Sequence, residues 1–555
     1  MAGTIKYCDF VNGDDDNGDG TYSNPYKTIT KASTGLGSGD EVRVAKSPAP
    51  VDLTVTFSFT NNSKTVTASD SVFINEVTAG QDDTSVRRGD FIKGGDGNWW
   101  EVVTINSATS ADLYQKYSGS TQSGVSSQKL MVTSTGEASG STTAVQTVSS
   151  SGTSASTLKI SGGWNLSNQT QDGQTYFRQL HSTFNNRYGY GLYASGKSYV
   201  EISRLHFLRY NYGIYLYSSS NNNTITTPTC NSNSAYGIYL YSSSNNNTIT
   251  SPTCNSSNNS GIYLSSSSNN TITTPTCNSN NYGIYLYSSS NNNTITTPTC
   301  NSNNYGIYIH SSSNNNTITT PTCNSNSAFG IYIASGSNNN TIKTPTCNSN
   351  NYGIYIASGS NNNTITTPTC NSNNNGIRSG NSSNNIVNNY SGTSNTSGDI
   401  YVLQAQHYGE YPCLLMQHFK EAGDNRCYYE YGVTYRDTTN PRGGTGECLK
   451  FSPTSTTYYI SQSFYFAADS GVSKTISAYI RKDASLGGDV QGAIFFMGEK
   501  ITGWTDITPT EDNTYEQKSL VANAADITED GVLELRIKVR GSSGKNVYVD
   551  DISIE

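Results

Sequence analysis

The chain has 555 residues, enough for about three domains, and its 33 basic and 41 acidic residues give a net charge of −8. Only 13% of the residues are charged while 40 are tyrosine, which is unusual for a cytosolic enzyme. The acidic balance disfavours nucleic acid and other polyanions as partners, because these bind basic surfaces. No run of about 18 apolar residues occurs, so we expect no membrane insertion.

The N-terminal segment, residues 1–45, is predicted to form a cap and the first coils of a β structure. Its opening, MAGTIKYCDF, lacks the basic and apolar regions of a signal peptide, so none is expected. Asp15, Asn17 and Asp19 begin a D-x-N-x-D-G calcium-loop pattern, but Tyr26 stands where such loops have a bidentate Glu. Two interpretations stay open, namely a polar turn and a structural Ca²⁺ site.

Residues 46–160 are predicted to be a small all-β insertion. The segments VTFSF, KTVTA and GDFIKGGDGNWWEVVTI read as short strands, and the glycines before Trp99 form a hairpin tip. Trp99 and Trp100 fall on opposite faces of one strand. We expect one of them in the core and the other at the surface.

Residues 161–398 are assigned to one solenoid, because a motif close to NNNTITTPTCNSNNYGIYLYSSS recurs there almost unchanged. Its cysteines are spaced by 24, 23, 23, 23, 24 and 23 residues, which fixes the period. No 3.6-residue apolar stripe occurs, whereas short alternating runs bounded by Asn, Ser, Gly and Pro do. Each repeat is therefore predicted to be one coil of short β-strands.

Alternation within the repeat predicts which side chains face inward. Ile214 and Leu216 share one face of GIYLY, with the tyrosines opposite, while Asn223 and Ile225 share the inward face of NTIT. The cysteine of PTC fills a third inward position as a small hydrophobe. An odd total of 11 cysteines and stacking in register favour buried thiols over disulfides. The predicted ladder is Cys230, Cys254, Cys277, Cys300, Cys323, Cys347 and Cys370.

Stability is expected to come from stacking, because one coil buries only about four apolar side chains and cannot offset its backbone entropy. Neighbouring coils would lie about 4.8 Å apart, with identical side chains piled on each other. Inward asparagines such as Asn223, Asn247 and Asn270 are expected to hydrogen-bond along the stack.

The GIYL and NNTIT segments with their Asn-rich turns resemble the pectate-lyase-like parallel β-helix repeat family over about residues 160–395. The acidic N-terminal segment is similar to the opening of many phage and pectate-lyase-like β-helices. The resemblance implies a right-handed, three-sided solenoid. It implies no single function, because lyases, hydrolases, epimerases, viral tailspikes and adhesins all use this fold.

Catalysis on the solenoid is disfavoured by its charges. Glycosidases place two carboxylates about 5–9.5 Å apart, yet no Asp or Glu occurs between Glu201 and Asp399. His206 and His310 are candidate bases, but His310 occupies a slot that other coils fill with Tyr or Ser. We therefore lean towards no enzymatic activity and assign no catalytic residue. The remaining possibility is a site on the early coils near Asp172, Arg178, His181, Arg187, Glu201 and Arg204.

One outward tyrosine position recurs across seven coils, until Arg378 takes the slot, and predicts an aromatic stripe about 30 Å long. Its members are Tyr215, Tyr239, Tyr263, Tyr285, Tyr308, Tyr332 and Tyr355. Three interpretations stay open: ordinary surface packing, a subunit interface and a platform for sugar rings. Long apolar stripes seldom stay bare on monomers, so we expect a homotrimer, as in the tailspikes that the chain resembles.

A second outward ladder is formed by threonine, as in Thr224 and Thr226 of the TIT segment. This pattern resembles ice-binding proteins. Lys343 interrupts the column, so ice binding is a distant alternative.

Residues 399–555 are predicted to be a second β-rich domain. The segments KTISAYIRKD, LELRIKVRG and KNVYVDDISIE resemble jelly-roll carbohydrate-binding modules, and their alternation predicts strands with one buried face. In that family an acidic pair near the last strand often helps to hold calcium, which the resemblance transfers to Asp550 or Asp551. Three cysteines outside the ladder leave room for one disulfide: Cys413, Cys427 and Cys448.

The sequence therefore predicts an all-β protein: a right-handed parallel β-helix solenoid with a small β insertion and a C-terminal β-sandwich of jelly-roll type. The leading functional hypothesis is a non-enzymatic, tailspike-like fibre of a virion or cell surface that binds a polysaccharide or surface glycan. A polysaccharide depolymerase, either lyase or glycoside hydrolase, is the alternative. Other virion proteins are possible partners, and no cofactor is expected beyond structural Ca²⁺.

Overall fold

A computed structural model describes residues 3–74, 85–134, 144–179, 189–334, 336–380, 382, 385–396, 398–403, 414–419, 427–430, 434–437, 448–451, 460–468, 471–496, 499–528, 531–540, 542 and 545–554. The chain divides into two compact units, residues 1–351 and residues 352–555. Regular structure in the described ranges is almost entirely β-strand, as predicted. The exceptions are a helical turn at Ile29–Ala32 and a 3-10 turn at Ala524–Asp526.

The first unit contains a parallel β-solenoid, which confirms the predicted coil of short strands. One of its sheets runs through the TIT segments in the order Ile5–Cys8, Glu41–Ala45, Leu158–Asn165, Val200–Ser203, Thr224–Thr226, Thr248–Thr250, Thr271–Thr273, Thr294–Thr296, Thr317–Thr319 and Thr341–Lys343; Thr170–Gln171 pairs at its side. Identical residues meet in register, since Ile225 pairs with Ile249. The stack is therefore in phase with the sequence repeat.

Two further faces complete each coil. The GIYL sheet comprises Ala144–Thr147, Tyr190–Ser195, Tyr212–Tyr217, Tyr236–Tyr241, Ser260–Ser265, Tyr282–Tyr287, Tyr305–Ile309 and Phe329–Ile333. The third face starts as the sheet Thr133–Ser134, Thr175–Arg178 and Leu205–Leu208. It continues as single bridges between the threonines of successive PTC segments, such as Thr276 with Thr299.

The solenoid interior has the composition that alternation predicts. Ile214, Leu216 and Ile225 expose at most 1% of their surface, and Asn223 also exposes 1%. All seven ladder cysteines are fully buried thiols, as expected. Burial raises the pKa of the Cys254 thiol, so it stays protonated.

The predicted asparagine ladder is present. The backbone N–H of Asn223 donates to Oδ1 of Asn247 at 2.9 Å, and the N–H of Asn247 donates to Oδ1 of Asn270 at 2.9 Å. A parallel ladder, not predicted, joins Asn280 to Asn303 at 2.8 Å. Each side chain therefore satisfies a buried backbone donor of the neighbouring coil, which a solenoid corner would otherwise leave unpaired.

The outward tyrosine stripe is wider than predicted, because the alternation breaks at a glycine. A Cβ on Gly213 would lie 2.6 Å from the carbonyl oxygen of Gly237 and 2.8 Å from Cβ of Cys230, so this position faces the interior. The next residue, Ile214, faces inward too. Tyr212 consequently falls on the outer face instead of the inner one.

The insertion is a closed β-barrel with strands Val51–Phe59, Thr65–Ala68, Phe91–Lys93, Trp99–Ser107, Ser110–Leu113 and Gln122–Lys129, beside a small sheet of Phe73–Ile74 and Val86–Arg87. Trp100 lies in its core, as one of the two tryptophans was expected to do. Trp99 is partly buried instead of exposed, because it packs against a cluster containing Phe91 of the barrel and Leu208 of the solenoid.

The insertion is shorter than the predicted range of 46–160. Thr133–Ser134 already pairs with the solenoid strand Thr175–Arg178, and Ala144–Thr147 pairs with Tyr190–Ser195. Residues 133–157 of these early coils are rich in Ser, Thr and Gly and lack the GIYL and PTC motifs that mark later coils. The 23-residue repeat pattern therefore does not reveal that these segments belong to the solenoid.

In the second unit, solenoid-type strands extend beyond the predicted boundary at 398. The sheet Tyr352–Ile356, Asn375–Ser379 continues into Gly398–Leu403 and Cys427–Glu430, and the sheet Thr364–Thr366, Asn385–Tyr390 continues into Leu414–Phe419. The later strands are joined by longer connections and have lost the 23-residue period. The repeat pattern alone therefore placed the end of the solenoid too early.

The remainder of this unit is a β-sandwich, as predicted. One antiparallel sheet contains Thr434–Asp437, Cys448–Phe451, Val547–Ile554, Lys474–Lys482 and Glu516–Ala522, and the other contains Ile460–Ala468, Gly531–Val539, Val490–Phe496, Glu499–Lys500 and Thr505–Asp506. A shared core joins the sheets, with Ile480 and Val549 from one and Ile494 and Leu535 from the other.

Candidate functional site

The outer face of the GIYL sheet carries stacked tyrosine columns. In the predicted column the Tyr215 and Tyr239 rings lie 4.9 Å apart with planes 5° from parallel, and Tyr308 and Tyr332 are 5.0 Å apart at 5°. The second column contains Tyr212 and its equivalents, 5.2 Å from the first at Tyr215. We call these columns the tyrosine face.

The tyrosine face is more buried than an exposed stripe would be. Tyr215 and Tyr263 expose only 8% and 9% of their surface, because neighbouring rings cover them. Burial raises the pKa of Tyr263 to about 12 and that of Tyr285 further. These phenols therefore stay neutral at physiological pH. The rings therefore pack on each other, as the interpretation of ordinary surface packing expects. A subunit interface and a platform for sugar rings remain hypotheses.

In the second unit, Tyr355 belongs to a different arrangement. The Arg378 guanidinium carbon lies 5.4 Å from the ring centres of both Tyr352 and Tyr355, and Nη1 donates to the Tyr352 hydroxyl at 2.9 Å. This cation–π arrangement places a positive charge beside both tyrosine rings.

The sandwich carries an aromatic and cationic surface that sequence reasoning did not identify. The Lys538 ammonium nitrogen lies 3.8 Å from the Trp504 ring centre, and the Arg536 guanidinium carbon lies 4.1 Å from that of Phe495. The two aromatic rings meet edge to face at 6.2 Å. Burial lowers the pKa of Lys538. Alternation in LELRIKV predicts that Arg536 and Lys538 share the outer face of their strand. Alternation does not predict their contact with Trp504, because Trp504 belongs to a separate turn.

Polar groups border this surface, which we call the Trp504 surface. Arg540 Nε donates to Asp489 Oδ1 at 2.5 Å, and Gln491 Nε2 donates to Asp489 Oδ2 at 2.7 Å. Phe495 is buried, whereas Trp504 is half-buried. The accessible part of the Trp504 ring, beside fixed amide, carboxylate and guanidinium groups, suits a ligand with both apolar faces and hydroxyl groups.

The candidate base His206 is part of the packing. Its Nδ1 accepts from the Thr229 N–H at 2.9 Å, and Nε2 lies 2.9 Å from Gln174 Oε1, so Nε2 carries the proton. The ring stacks on Tyr176 at 4.3 Å, and burial lowers its pKa to about 3. A neutral imidazole with both nitrogens occupied cannot abstract a substrate proton. His310 stacks on Tyr287 at 5.7 Å as a member of the aromatic array.

The early-coil candidates do not converge. Asp172 pairs with Lys46 at 2.7 Å, Arg178 pairs with buried Asp90 at 3.2 Å, and Arg204 donates to two backbone carbonyl groups. Two further candidates lie outside the described residues: His181 and Arg187.

A carboxylate pair that sequence reasoning missed lies on the outer face of the TIT sheet. Glu41 pairs in register with Lys159, which pairs with Glu201, so the acids are two rungs, about 9.6 Å, apart at their Cα atoms. Glu41 accepts from Ser161 Oγ at 2.8 Å and from Arg43 Nε at 3.0 Å. The barrel insertion separates the two acids in sequence, which hides their proximity.

The calcium-loop residues make separate hydrogen bonds. Asp15 Oδ1 accepts from the N–H groups of Lys27 and Thr28 at 2.8 and 2.9 Å, whereas Asp19 Oδ1 accepts from the Thr21 N–H at 2.8 Å. Asn17 donates to a neighbouring aspartate in the same turn. In the part of the chain that the structure describes, no three His, Cys, Asp or Glu residues form a metal-type cluster. The side chains of Asp550, Asp551 and the three further cysteines lie outside the described set.

Comparison with known proteins gives one family match. The model of the periplasmic copper-binding protein NosD matches residues 130–297 and 255–400. No curated protein matches the chain. No helix within the described ranges is long and apolar enough to cross a membrane.

Several solved structures are similar at low identity. Pectate lyase Pel9A is 12% identical over 72% of this chain and 79% of the lyase, with a TM-score of 0.38. The Dettilon tailspike protein is 12% identical over 71% of this chain and 85% of its own, also at 0.38. Family 16 carbohydrate-binding module 2 is 16% identical over 23% of this chain and 86% of the module, at 0.19. None of these values assigns a function to this chain.

Proposed function

We propose that this protein is a non-enzymatic, glycan-binding fibre of a virion or cell surface, in which the solenoid is a rigid spacer and the sandwich contacts the glycan. The observation that carries the proposal is the Trp504 surface. The Trp504 ring, with Phe495 at its edge and Lys538 above it, offers an apolar platform for a sugar ring. The bordering Gln491 and Asp489 side chains supply hydrogen bonds to hydroxyl groups.

The solenoid supports the non-enzymatic part of the proposal. Its regular coils carry no Asp or Glu between Glu201 and Asp399, and His206 is enclosed by hydrogen bonds. Repeated ladders of asparagine and tyrosine make the coils stiff, because each coil bonds to its neighbours at every corner. A stiff and chemically quiet rod suits a spacer.

The tyrosine face supports self-association into a homotrimer. Tyr241, whose ring centre lies 5.4 Å from that of Tyr239, exposes 37% of its surface at the margin of this face. Mass measurement of the full chain in solution by light scattering tests this part, and a trimer is expected. A monomer would contradict the oligomer proposal without affecting glycan binding by the sandwich.

Glycan binding is tested with the full chain on a glycan array. The Trp504→Ala variant is expected to lose at least about tenfold in affinity for each uncharged glycan bound, as central aromatic contacts do. Val521→Ala serves as a matched control, since Val521 is 48% exposed and makes no part of this surface. An array without any bound uncharged glycan, or equal binding of such glycans by Trp504→Ala, would refute the recognition role of the sandwich.

A polysaccharide depolymerase is the second candidate, favoured by the Glu41 and Glu201 pair. Their spacing of about two rungs is compatible with carboxylates on either side of a glycosidic bond in an inverting hydrolase. Purified protein and its Glu41→Gln and Glu201→Gln variants can be compared for reducing-end release from capsule preparations. If the purified protein releases reducing ends and each single substitution abolishes that release, the protein is a hydrolase and the non-enzymatic proposal is overturned.

A further inference from the structure

A polar cleft of about 870 Å³ separates the barrel from the solenoid in the first unit. The barrel wall consists of Asn61, Asn62, Lys64 and residues 114–118. The facing wall consists of corner residues from four successive coils, Ser257 and Asn258, Ser279 to Asn281, Ser302 to Asn304, and Ser325 with Ser327. This volume is in the range of small-molecule binding sites.

Buried ion pairs join the barrel to early coils of the solenoid, outside the residues that line the cleft. Asp90 of the barrel lies 3.2 Å from Arg178 of the solenoid, and Glu101 of the barrel lies 3.0 Å from Arg209. These four side chains expose at most 5% of their surface. A fixed barrel means that a ligand need not order the two walls on binding, which favours affinity.

The solenoid wall presents a row of amides and hydroxyls. Asn258, Asn281, Asn304 and Ser327 occupy equivalent corners one rung, about 4.8 Å, apart. The row is bonded along its length, because Asn304 Nδ2 donates to Asn281 Oδ1 at 3.2 Å and Ser327 Oγ donates to Asn304 Oδ1 at 2.9 Å. An amide supplies both a donor and an acceptor, which matches neighbouring hydroxyl groups of a sugar.

The barrel wall adds positive charge and an aromatic ring. Lys64 and Lys116 are exposed, and neither ammonium forms a salt bridge with a described carboxylate. The Tyr114 hydroxyl donates across the cleft to Asn258 Oδ1. None of the described lining residues is acidic. The cleft is thus locally basic, although the chain as a whole has a charge of −8.

Nearby carboxylates are engaged elsewhere. Asp112 accepts from Thr65 Oγ1 at 2.9 Å and from Asn106 Nδ2 at 3.0 Å. Asp96 accepts from Trp100 Nε1 at 3.1 Å. Lysine ammonium groups therefore remain available for an anionic ligand, to which they make strong charge-assisted hydrogen bonds.

We propose that this cleft is a binding site for an acidic polysaccharide segment, with uronate carboxylates on Lys64 and Lys116 and sugar hydroxyls on the row of amides. The site shares no residue with the Trp504 surface and stands independently of the function proposed for the sandwich. It differs from the expectation, drawn from net charge, that polyanions are disfavoured as partners, because local charge decides binding in a cleft.

The test is titration calorimetry of the full chain with an oligogalacturonate and, as an uncharged match, a maltooligosaccharide of equal length. We expect the oligogalacturonate to bind more tightly, and added salt to weaken that binding. The double variant Lys64→Ala/Lys116→Ala should weaken it about tenfold or more, because charge-assisted bonds are lost. Lys343→Ala is the matched control, since Lys343 is exposed on the TIT sheet away from the cleft lining.

Four results would overturn the proposal: no oligogalacturonate binding, equal affinity for the neutral oligomer, unchanged affinity in the double variant, or an equal loss in Lys343→Ala. Tighter binding of single-stranded DNA than of the oligogalacturonate would assign the cleft to nucleic acid instead. Trp504→Ala should leave oligogalacturonate binding to the cleft intact. Loss of oligogalacturonate binding in Lys64→Ala/Lys116→Ala reports on the cleft, whereas loss of glycan binding in Trp504→Ala reports on the sandwich. The two proposals can therefore fail separately.

Discussion

Replacing Asn293 by alanine removes a buried link of the asparagine ladder. Its Oδ1 accepts from the Asn270 N–H at 2.9 Å and from Asn270 Nδ2 at 3.1 Å, while its Nδ2 donates to the Ser267 carbonyl at 3.2 Å and to Asn316 Oδ1 at 3.1 Å. Asn293 is fully buried, so water does not replace these bonds without disrupting the coil. The Asn270 N–H and the Ser267 carbonyl both lose this partner.

The expected cost follows from those two backbone groups. A buried polar group without a partner costs about 1–3 kcal/mol, so Asn293→Ala should destabilise the solenoid by about 2–6 kcal/mol. Native-state hydrogen exchange of the Asn270 amide measures the local loss, and urea unfolding measures the global one. Exchange should accelerate at this amide first, because its acceptor is gone.

Asn291→Ala is the matched control on the same coil. Asn291 is only partly buried, and its Oδ1 accepts one bond, from the Asn314 N–H at 2.7 Å. Water can replace that bond, so a loss below about 1 kcal/mol is expected. If Asn293→Ala cost no more than this control, the inward ladder would not be what stabilises the stack.

Three further outcomes follow from the corners and the interior. Gly283→Ala should destabilise the protein, because the added Cβ would lie 2.5 Å from the Gly306 carbonyl oxygen. Gly37→Ala is the control, since a Cβ there would have no atom within 4 Å. Equal urea-unfolding midpoints for the two variants would contradict the close approach at Gly283. Thr297 has a φ of 47°, a left-handed backbone conformation that strains a β-branched residue and that asparagine tolerates better. Thr297→Asn should therefore raise the free energy of unfolding, measured in urea, by about 1 kcal/mol. A lower free energy of unfolding would contradict this reasoning. His206 has a folded pKa of about 3, below its unfolded value, so protons favour the unfolded chain between those values. Stability should fall as pH drops from about 6.5 towards 3, with a slope approaching about 1.4 kcal/mol per unit, and His206→Phe should remove that slope; an unchanged slope would place its origin elsewhere.

The regular coils could be predicted because every constraint on them is local and repeated. Ile225 and Cys230 face inward as alternation requires, and Asn223 bonds along the stack. The second tyrosine column could not be predicted from alternation, since two inward residues in succession at Gly213 shift Tyr212 to the outer face.

Sites built from distant segments were beyond the same reasoning. Glu41 and Glu201 come to lie on either side of Lys159 only because the chain returns to the TIT sheet after completing the barrel. The cleft likewise depends on the packing of Tyr114 against Asn258. The sequence separation of Glu41 and Glu201, or of Tyr114 and Asn258, matches no repeat or motif that would have revealed their proximity.

Because successive coils offer each other identical partners, the solenoid can change length in whole periods. Excision of residues 278–300, one 23-residue repeat, would bring Cys277 next to Cys323 and rejoin asparagine to asparagine and isoleucine to isoleucine. The rod would shorten by one rung, about 4.8 Å, without an unmatched surface. Loss or gain of one repeat would therefore change the length of the solenoid in steps of one rung while keeping neighbouring coils matched.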